Sequence, residues 1–180
     1  MNDKLIVALD YATEQDAMAL VNQLGDAVSY YKVGLELFLN TRGSVVDLIK
    51  AQNKNVFLDL KFHDIPNTVA QAVAWAASLG VDMFTLHSSG GEEMMRKSVE
   101  TVNETCERLN VKRPNMVGVT ILTSFDEAGI AKVGYKNNIA DTVQPAPQAS
   151  MSLNFDNTKK IVNIMVFYND NSFEWFVPKS

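Results

Sequence analysis

The sequence predicts an α/β fold built on a parallel sheet, and three observations carry that reading. The apolar runs are short and continuous rather than alternating, as strands buried on both faces require. Each run is followed by a stretch with apolar residues at helical spacing, which is the order of βα units. Residues able to do acid–base chemistry stand at or just past the end of each run. That is the edge which carries the active site in (β/α) barrels and in doubly wound sheets alike.

The first run, "KLIVALD" (residues 4–10), strings Leu, Ile, Val and Ala together and ends on Asp10. In "TEQDAMALVNQLG" (13–25), Thr13 is placed to cap a helix and Asp16 favours its first turn, while Ala17, Leu20, Val21 and Leu24 form an apolar stripe and Gly25 ends it. The pattern then recurs. Strand "AVSYYKVG" carries Lys32 near its end and precedes a helix over 41–52. Strand "NVFLDLK" carries Asp59 and Lys61 and precedes a helix over 67–79, with Asn67 in the capping position. Strand "VDMFTLH" ends on His87 before a helix over 92–109, and "NMVGVTIL" runs into Thr123 and Ser124, with a helical start near 126. Five βα units result. After about Val143 the regularity stops: "QPAPQASMSLNFDNTKK" has two prolines and no helical stripe, and reads as loop. Within 144–180 one further strand is expected, over 161–168.

Bulk properties narrow the function. With 180 residues, 47% of them hydrophobic, the chain has the apolar content for one buried core. Its net charge of −5 offers no electrostatic footprint for a nucleic-acid backbone, so nucleic-acid binding is not expected. The single cysteine, Cys106, has no internal disulfide partner and no histidine nearby in the sequence, and reads as an ordinary helix residue. The opening "MNDKLIVALD" holds an apolar run too short for a signal peptide or a membrane span. These features point to a cytoplasmic protein. Two histidines without acidic spacing partners make no case for a metal site.

The most informative stretch is "FLDLKFHDIPNT" (57–68), which sets Lys61 between Asp59 and Asp64 at the end of an apolar run. Residues i and i+2 of a strand share a face, so Asp59 and Lys61 are expected to be neighbours. Asp64 follows, and Ile65-Pro66-Asn67 turns the chain into the next helix. An ammonium held between carboxylates is a proton donor rather than a resting nucleophile. The plain reading of such a trio is a surface ion pair. Asp10 and Lys32, at the ends of the first two strands, change the balance, because four alternating charges gathered in one cleft are costly unless they bind or transform something. His63 alternates away from Lys61, and both His63 and His87 read as structural. The adjacent glycines of "HSSGGEEM" precede a helix and raise a phosphate-binding alternative.

The series "LIVALD", "YYKVGLELF", "DLKFHDIPNT", "DMFTLHSSGG" and "VTILTSF", in that order, resembles the orotidine 5'-phosphate decarboxylase family over about residues 3–143. The resemblance implies a TIM (β/α)8 barrel, here incomplete: a partial barrel over 1–143 followed by a divergent tail over 144–180. It implies conversion of orotidine 5'-phosphate to UMP and CO2 in pyrimidine synthesis by a homodimer that uses neither metal nor organic cofactor. By resemblance, Lys32, Asp59, Lys61 and Asp64 form the catalytic network, with Lys61 as proton donor and Asp64 supplied to the other subunit's site. Asp10 contacts the ribose, Thr68 reaches across the interface and Thr123 lies against the base. The related sugar-phosphate decarboxylases share the Asp-x-Lys-x-x-Asp pattern but bind magnesium through a glutamate where this chain has Lys32, a residue that repels a divalent cation.

A complete barrel takes eight strands and about 250 residues. The family's glycine-rich turns and the arginine that holds the substrate phosphate have no counterpart after Val143. The expectation is therefore a truncated or altered decarboxylase chain. Its alternative is a catalytically impaired fragment that acts only as an interaction partner of a full-length subunit.

Overall fold

The computed structural model describes residues 5–126, 129, 132, 164–167 and 173–176. The chain divides into two units, residues 1–120 with 163–180 and residues 121–162.

In the first unit the strands and helices alternate. Strand β1 (Leu5–Ala8) leads to helix α1 (Glu14–Leu24), and β2 (Tyr30–Gly34) to α2 (Leu35–Asn40) and α3 (Ser44–Ala51). Strand β3 (Asn55–Phe62) leads to α4 (Pro66–Ser78), β4 (Met83–His87) to α5 (Gly91–Leu109), and β5 (Asn115–Val119) closes the series. Adjacent strands from β1 to β5 pair in parallel, in sequence order. Two more strands, β6 (Ile164–Phe167) and β7 (Phe173–Phe176), extend the sheet beyond β1 by antiparallel pairing, so that the order is β5-β4-β3-β2-β1-β6-β7. Sequential parallel strands joined by helices, in an open sheet, make an incomplete (β/α) barrel.

Strand periodicity of two sorts the sheet into two faces. Ile6, Tyr30, Phe57, Met83 and Val117 pack on one face, each from a different strand. Tyr31, Val33, Leu58, Phe84 and Leu86 face the other way, into the larger core with Val21 of α1, Ile49 of α3, Val73 of α4 and Met94 of α5. The first face is the one that matters for chemistry. Two residues beyond Tyr30, Phe57 and Met83 on that face stand Lys32, Asp59 and Thr85.

Caps account for several boundaries. Thr13 Oγ1 accepts from the Asp16 amide (3.2 Å) and donates to the Asp16 carboxylate (2.7 Å), which fixes the start of α1. The helix expected over 41–52 is α3, and α2 is a further helix ahead of it. The chain enters α2 directly after β2 and breaks at Arg42 (φ 53°) and Gly43 (φ 85°), both left-handed, before α3 begins. Asn67 does not cap α4. Pro66 takes the first helical position, Ile65 the cap without a side-chain bond, and the Asn67 side chain instead accepts from Lys97 Nζ (3.2 Å) on α5. Of the helix expected near 126, the described residues are Gly129 and Lys132, both helical, and the Gly129 amide donates to Asp126 Oδ1 (2.7 Å).

Candidate active site

Three parallel strands deliver an alternating chain of charge to the C-terminal edge of the sheet. Lys32 Nζ, on β2, lies 3.2 Å from Asp10 Oδ1 just past β1 and 3.6 Å from Asp59 Oδ2 on β3. The other oxygen of Asp59 is 2.9 Å from Lys61 Nζ. The four groups sum to zero charge, and each cation sits against at least one anion, which is how such a cluster tolerates partial burial. Exposure is graded along it: the side chains of Lys32 and Asp59 are 17% and 14% exposed, those of Lys61 and Asp10 39% and 75%. The inner pair is thus locked, while the lysine at the far end keeps an accessible ammonium. Asp10, Lys32, Gly34, Asp59 and Lys61 line one cleft.

The contact between Asp59 and Lys61 does not come from strand pleating, as their i, i+2 spacing suggests. Pairing of β3 with β4 shifts register between Leu58 and Phe62, and Lys61 lies within that irregularity at φ 50°. A left-handed backbone costs a non-glycine residue about 1–2 kcal/mol. It persists here because the Lys61 amide donates to Thr85 Oγ1 (2.8 Å) on β4. The same hydroxyl donates to Asp59 Oδ1 (3.0 Å). Thr85 is buried at 3% exposure, and nothing in the sequence pattern singles it out as part of the site. What the sequence does show is one hydroxyl inside the apolar run "DMFTLH", two residues before the strand end, on the strand beside Asp59.

Asp64 and Thr68 are exposed and do not line this cleft; the Asp64 carboxylate accepts from the Ile65 amide (2.7 Å). Thr123 belongs to the second unit, where it is exposed in a turn closed by the Phe125 amide on the Leu122 carbonyl (3.0 Å).

The two histidines meet. The rings of His63 and His87 stack with centroids 5.1 Å apart and planes at 22°. His87 Nδ1 accepts from the Ser89 amide (3.3 Å) and lies 2.6 Å from the Ser89 hydroxyl. Burial, then the neighbouring His63 and Lys61, lowers the His87 pKa. Cys106 is buried in α5, and that burial raises its thiol pKa, the opposite of what a reactive cysteine needs. Among the described residues no group of three or more His, Cys, Asp or Glu is placed to hold a metal, and no helix is long and apolar enough to cross a membrane.

Residues 3–162 match the model of the family described as orotidine 5'-phosphate decarboxylase / HUMPS. An orotidine 5'-phosphate decarboxylase from Nostoc sp. is 44% identical over 130 residues, which cover 72% of this chain and 54% of that protein. One from Carboxydothermus hydrogenoformans is 43% identical over 143 residues, covering 79% of this chain and 59% of that one. The chain therefore spans a little over half the length of these relatives. Among solved structures, the orotidine 5'-phosphate decarboxylase of Lactobacillus acidophilus aligns with a TM-score of 0.63 at 33% identity, over 71% of this chain and 58% of that one. The Methanocaldococcus jannaschii orotidine 5'-monophosphate decarboxylase complexed with the inhibitor BMP aligns at 0.53 and 30% identity, over 65% of this chain and 51% of that one.

Proposed function

Because the chain belongs to the orotidine 5'-phosphate decarboxylase / HUMPS family, we propose that it acts on orotidine 5'-phosphate, releasing CO2 and forming UMP in cytoplasmic pyrimidine synthesis. The observation that carries this reading is the Asp10–Lys32–Asp59–Lys61 chain of contacts, which ends on a partly exposed lysine that lines the cleft.

The chemistry follows from what decarboxylation leaves behind. When the bond from C6 to the carboxylate breaks, its electron pair stays on C6 as a vinyl carbanion that the ring does not delocalise. A fixed ammonium beside C6 stabilises that charge as it develops and then transfers a proton to the carbon, so one residue completes the product. Lys61 takes this role. Because Asp59 holds the ammonium in place beforehand, little reorganisation is needed when the charge appears, which is the main source of such electrostatic stabilisation. Lys32 holds Asp59 from its other oxygen and offsets the second carboxylate. Asp10, the most exposed member, binds the ribose. Lys32 also favours this reaction over the magnesium-dependent one of related sugar-phosphate decarboxylases, since a lysine there repels a divalent cation. The working unit is a homodimer in which Asp64 and Thr68 serve the neighbouring site. Their exposure outside the cleft supports that assignment, as does the adjoining Ile65, which is 67% exposed.

Loss of orotidine 5'-phosphate absorbance, with UMP identified as the product, is the test. Lys61→Ala is expected to lower kcat by about 10²–10⁴-fold or more while the nucleotide still binds. A variant that raises only KM and leaves turnover intact overturns the mechanism. An unsubstituted chain that shows no turnover yet binds a complete homologue supports the interaction-partner alternative instead.

A further inference from the structure

We propose that Thr85 is the positioning residue of this site, and that its single hydroxyl sets both the backbone of Lys61 and the carboxylate of Asp59. A hydroxyl has one proton to donate and two lone pairs that accept. The Lys61 amide, an obligatory donor, occupies a lone pair of Thr85 Oγ1 at 2.8 Å. The hydroxyl proton is then free to turn to its other close neighbour, Asp59 Oδ1, at 3.0 Å. Asp59 Oδ1 in turn receives Lys61 Nζ at 2.9 Å. The contacts form a closed ring: Lys61 amide to Thr85, Thr85 to Asp59, Asp59 to the Lys61 ammonium.

This ring answers a geometric problem. Lys61 interrupts β3 with a left-handed conformation at φ 50°, where a non-glycine backbone reverts unless something outside its own strand holds it. Thr85 is on the next strand, held in parallel register with Val117 of β5 and almost fully buried. Its hydroxyl therefore transmits the rigidity of the sheet to a residue at which the β3–β4 ladder is interrupted. Such a residue touches neither substrate nor product. Its effect is on where the ammonium stands, and displacement by a fraction of an ångström is felt in the chemical step more than in binding.

For its kinetic arm the inference rests on the decarboxylase reading, so the test has a second arm that does not. Thr85→Val keeps the shape and removes the hydroxyl; Thr85→Ser keeps the hydroxyl and removes the methyl. In the full chain, hydrogen exchange of the Lys61 amide is expected to be faster by about tenfold in the valine variant, and near the original rate in the serine variant. With orotidine 5'-phosphate as substrate, the valine variant is expected to lose about 10–100-fold in kcat with KM within about twofold, and serine to restore most of it. Equal protection of the Lys61 amide in all three chains overturns the proposal. So does a serine variant as impaired as the valine one, which marks packing rather than the hydroxyl. If amide exchange responds as expected while the unsubstituted chain has no turnover, the positioning role stands and the decarboxylase reading fails.

Discussion

His87 shows how one residue at the strand end couples the site to pH. Its Nδ1 accepts the Ser89 amide, so the ring is held in the tautomer protonated on Nε2, and a proton added to Nδ1 has to displace that bond. Burial, His63 and Lys61 all act against the added charge. The pKa in the folded chain is therefore lower than in the unfolded one, where it is about 6.5. The unfolded state then binds the proton first, so stability is full above about pH 6.5 and falls as the pH drops through that value towards the lowered one. Thermal unfolding followed between about pH 7.5 and 5 should show this loss, and His87→Gln should flatten it. An identical slope in the variant would assign the dependence to other groups. The strand-end position and hydrogen-bonding role of His87 were legible in "FTLH". Its stacking on His63 was not, because His63 stands just past β3, whose register against β4 is displaced by the irregularity at Lys61. Thr85 was missed for a related reason: a threonine in a strand is usually there for its β-branched shape, and only the neighbouring strand reveals that its hydroxyl is in use.

The elements were legible where apolar periodicity is strong and less so where a left-handed residue intervenes. Five parallel strands and the stripes of α1, α4 and α5 follow from the sequence pattern. The break between α2 and α3 does not, since Leu37, Val45, Val46 and Ile49 supply buried positions on both sides of it. What signals it is "TRG". The Gly43 amide reaches back to the Phe38 carbonyl (2.9 Å), a closure that carries the chain into the left-handed region. A Cβ at Gly43 would stand 3.0 Å from the Phe38 ring, which also packs edge-on against Trp75 of α4 at 5.5 Å. The ring is thus poorly placed to retreat. Gly43→Ala is expected to destabilise the fold by about 1–2 kcal/mol, from conformational strain with crowding added. At this chain length that lowers the unfolding temperature by about 2–4 °C per kcal/mol. No change in unfolding temperature would mean that the turn relaxes without cost.

For the whole molecule, the arrangement of one cleft beside an exposed acid has a consequence that only an assembly can show. Lys61 faces the cleft formed by its own strands, whereas Asp64 lies exposed past the strand end and outside that cleft, next to Ile65, which is 67% exposed. An exposed apolar side chain such as Ile65 is one that a two-fold interface can cover. If the proposed homodimer forms across it, each site takes Lys61 from one subunit and Asp64 from the other. Lys61→Ala and Asp64→Ala homodimers are then both impaired at both sites. In a mixed dimer one site carries both lesions, and the other combines the sound lysine of the Asp64 variant with the sound aspartate of the Lys61 variant. Random reassembly of equal amounts gives about half mixed dimers with one sound site of two, so about a quarter of the unsubstituted activity is expected to return, by symmetry alone. The two variants are dissociated, mixed and reassembled, and turnover of orotidine 5'-phosphate is compared with the mean of the separate variants. Activity that stays at that mean would place Asp64 in the site of its own subunit or remove the dimer as the catalytic unit. Recovery that depends on dissociation before mixing would locate the missing part of each site across the interface.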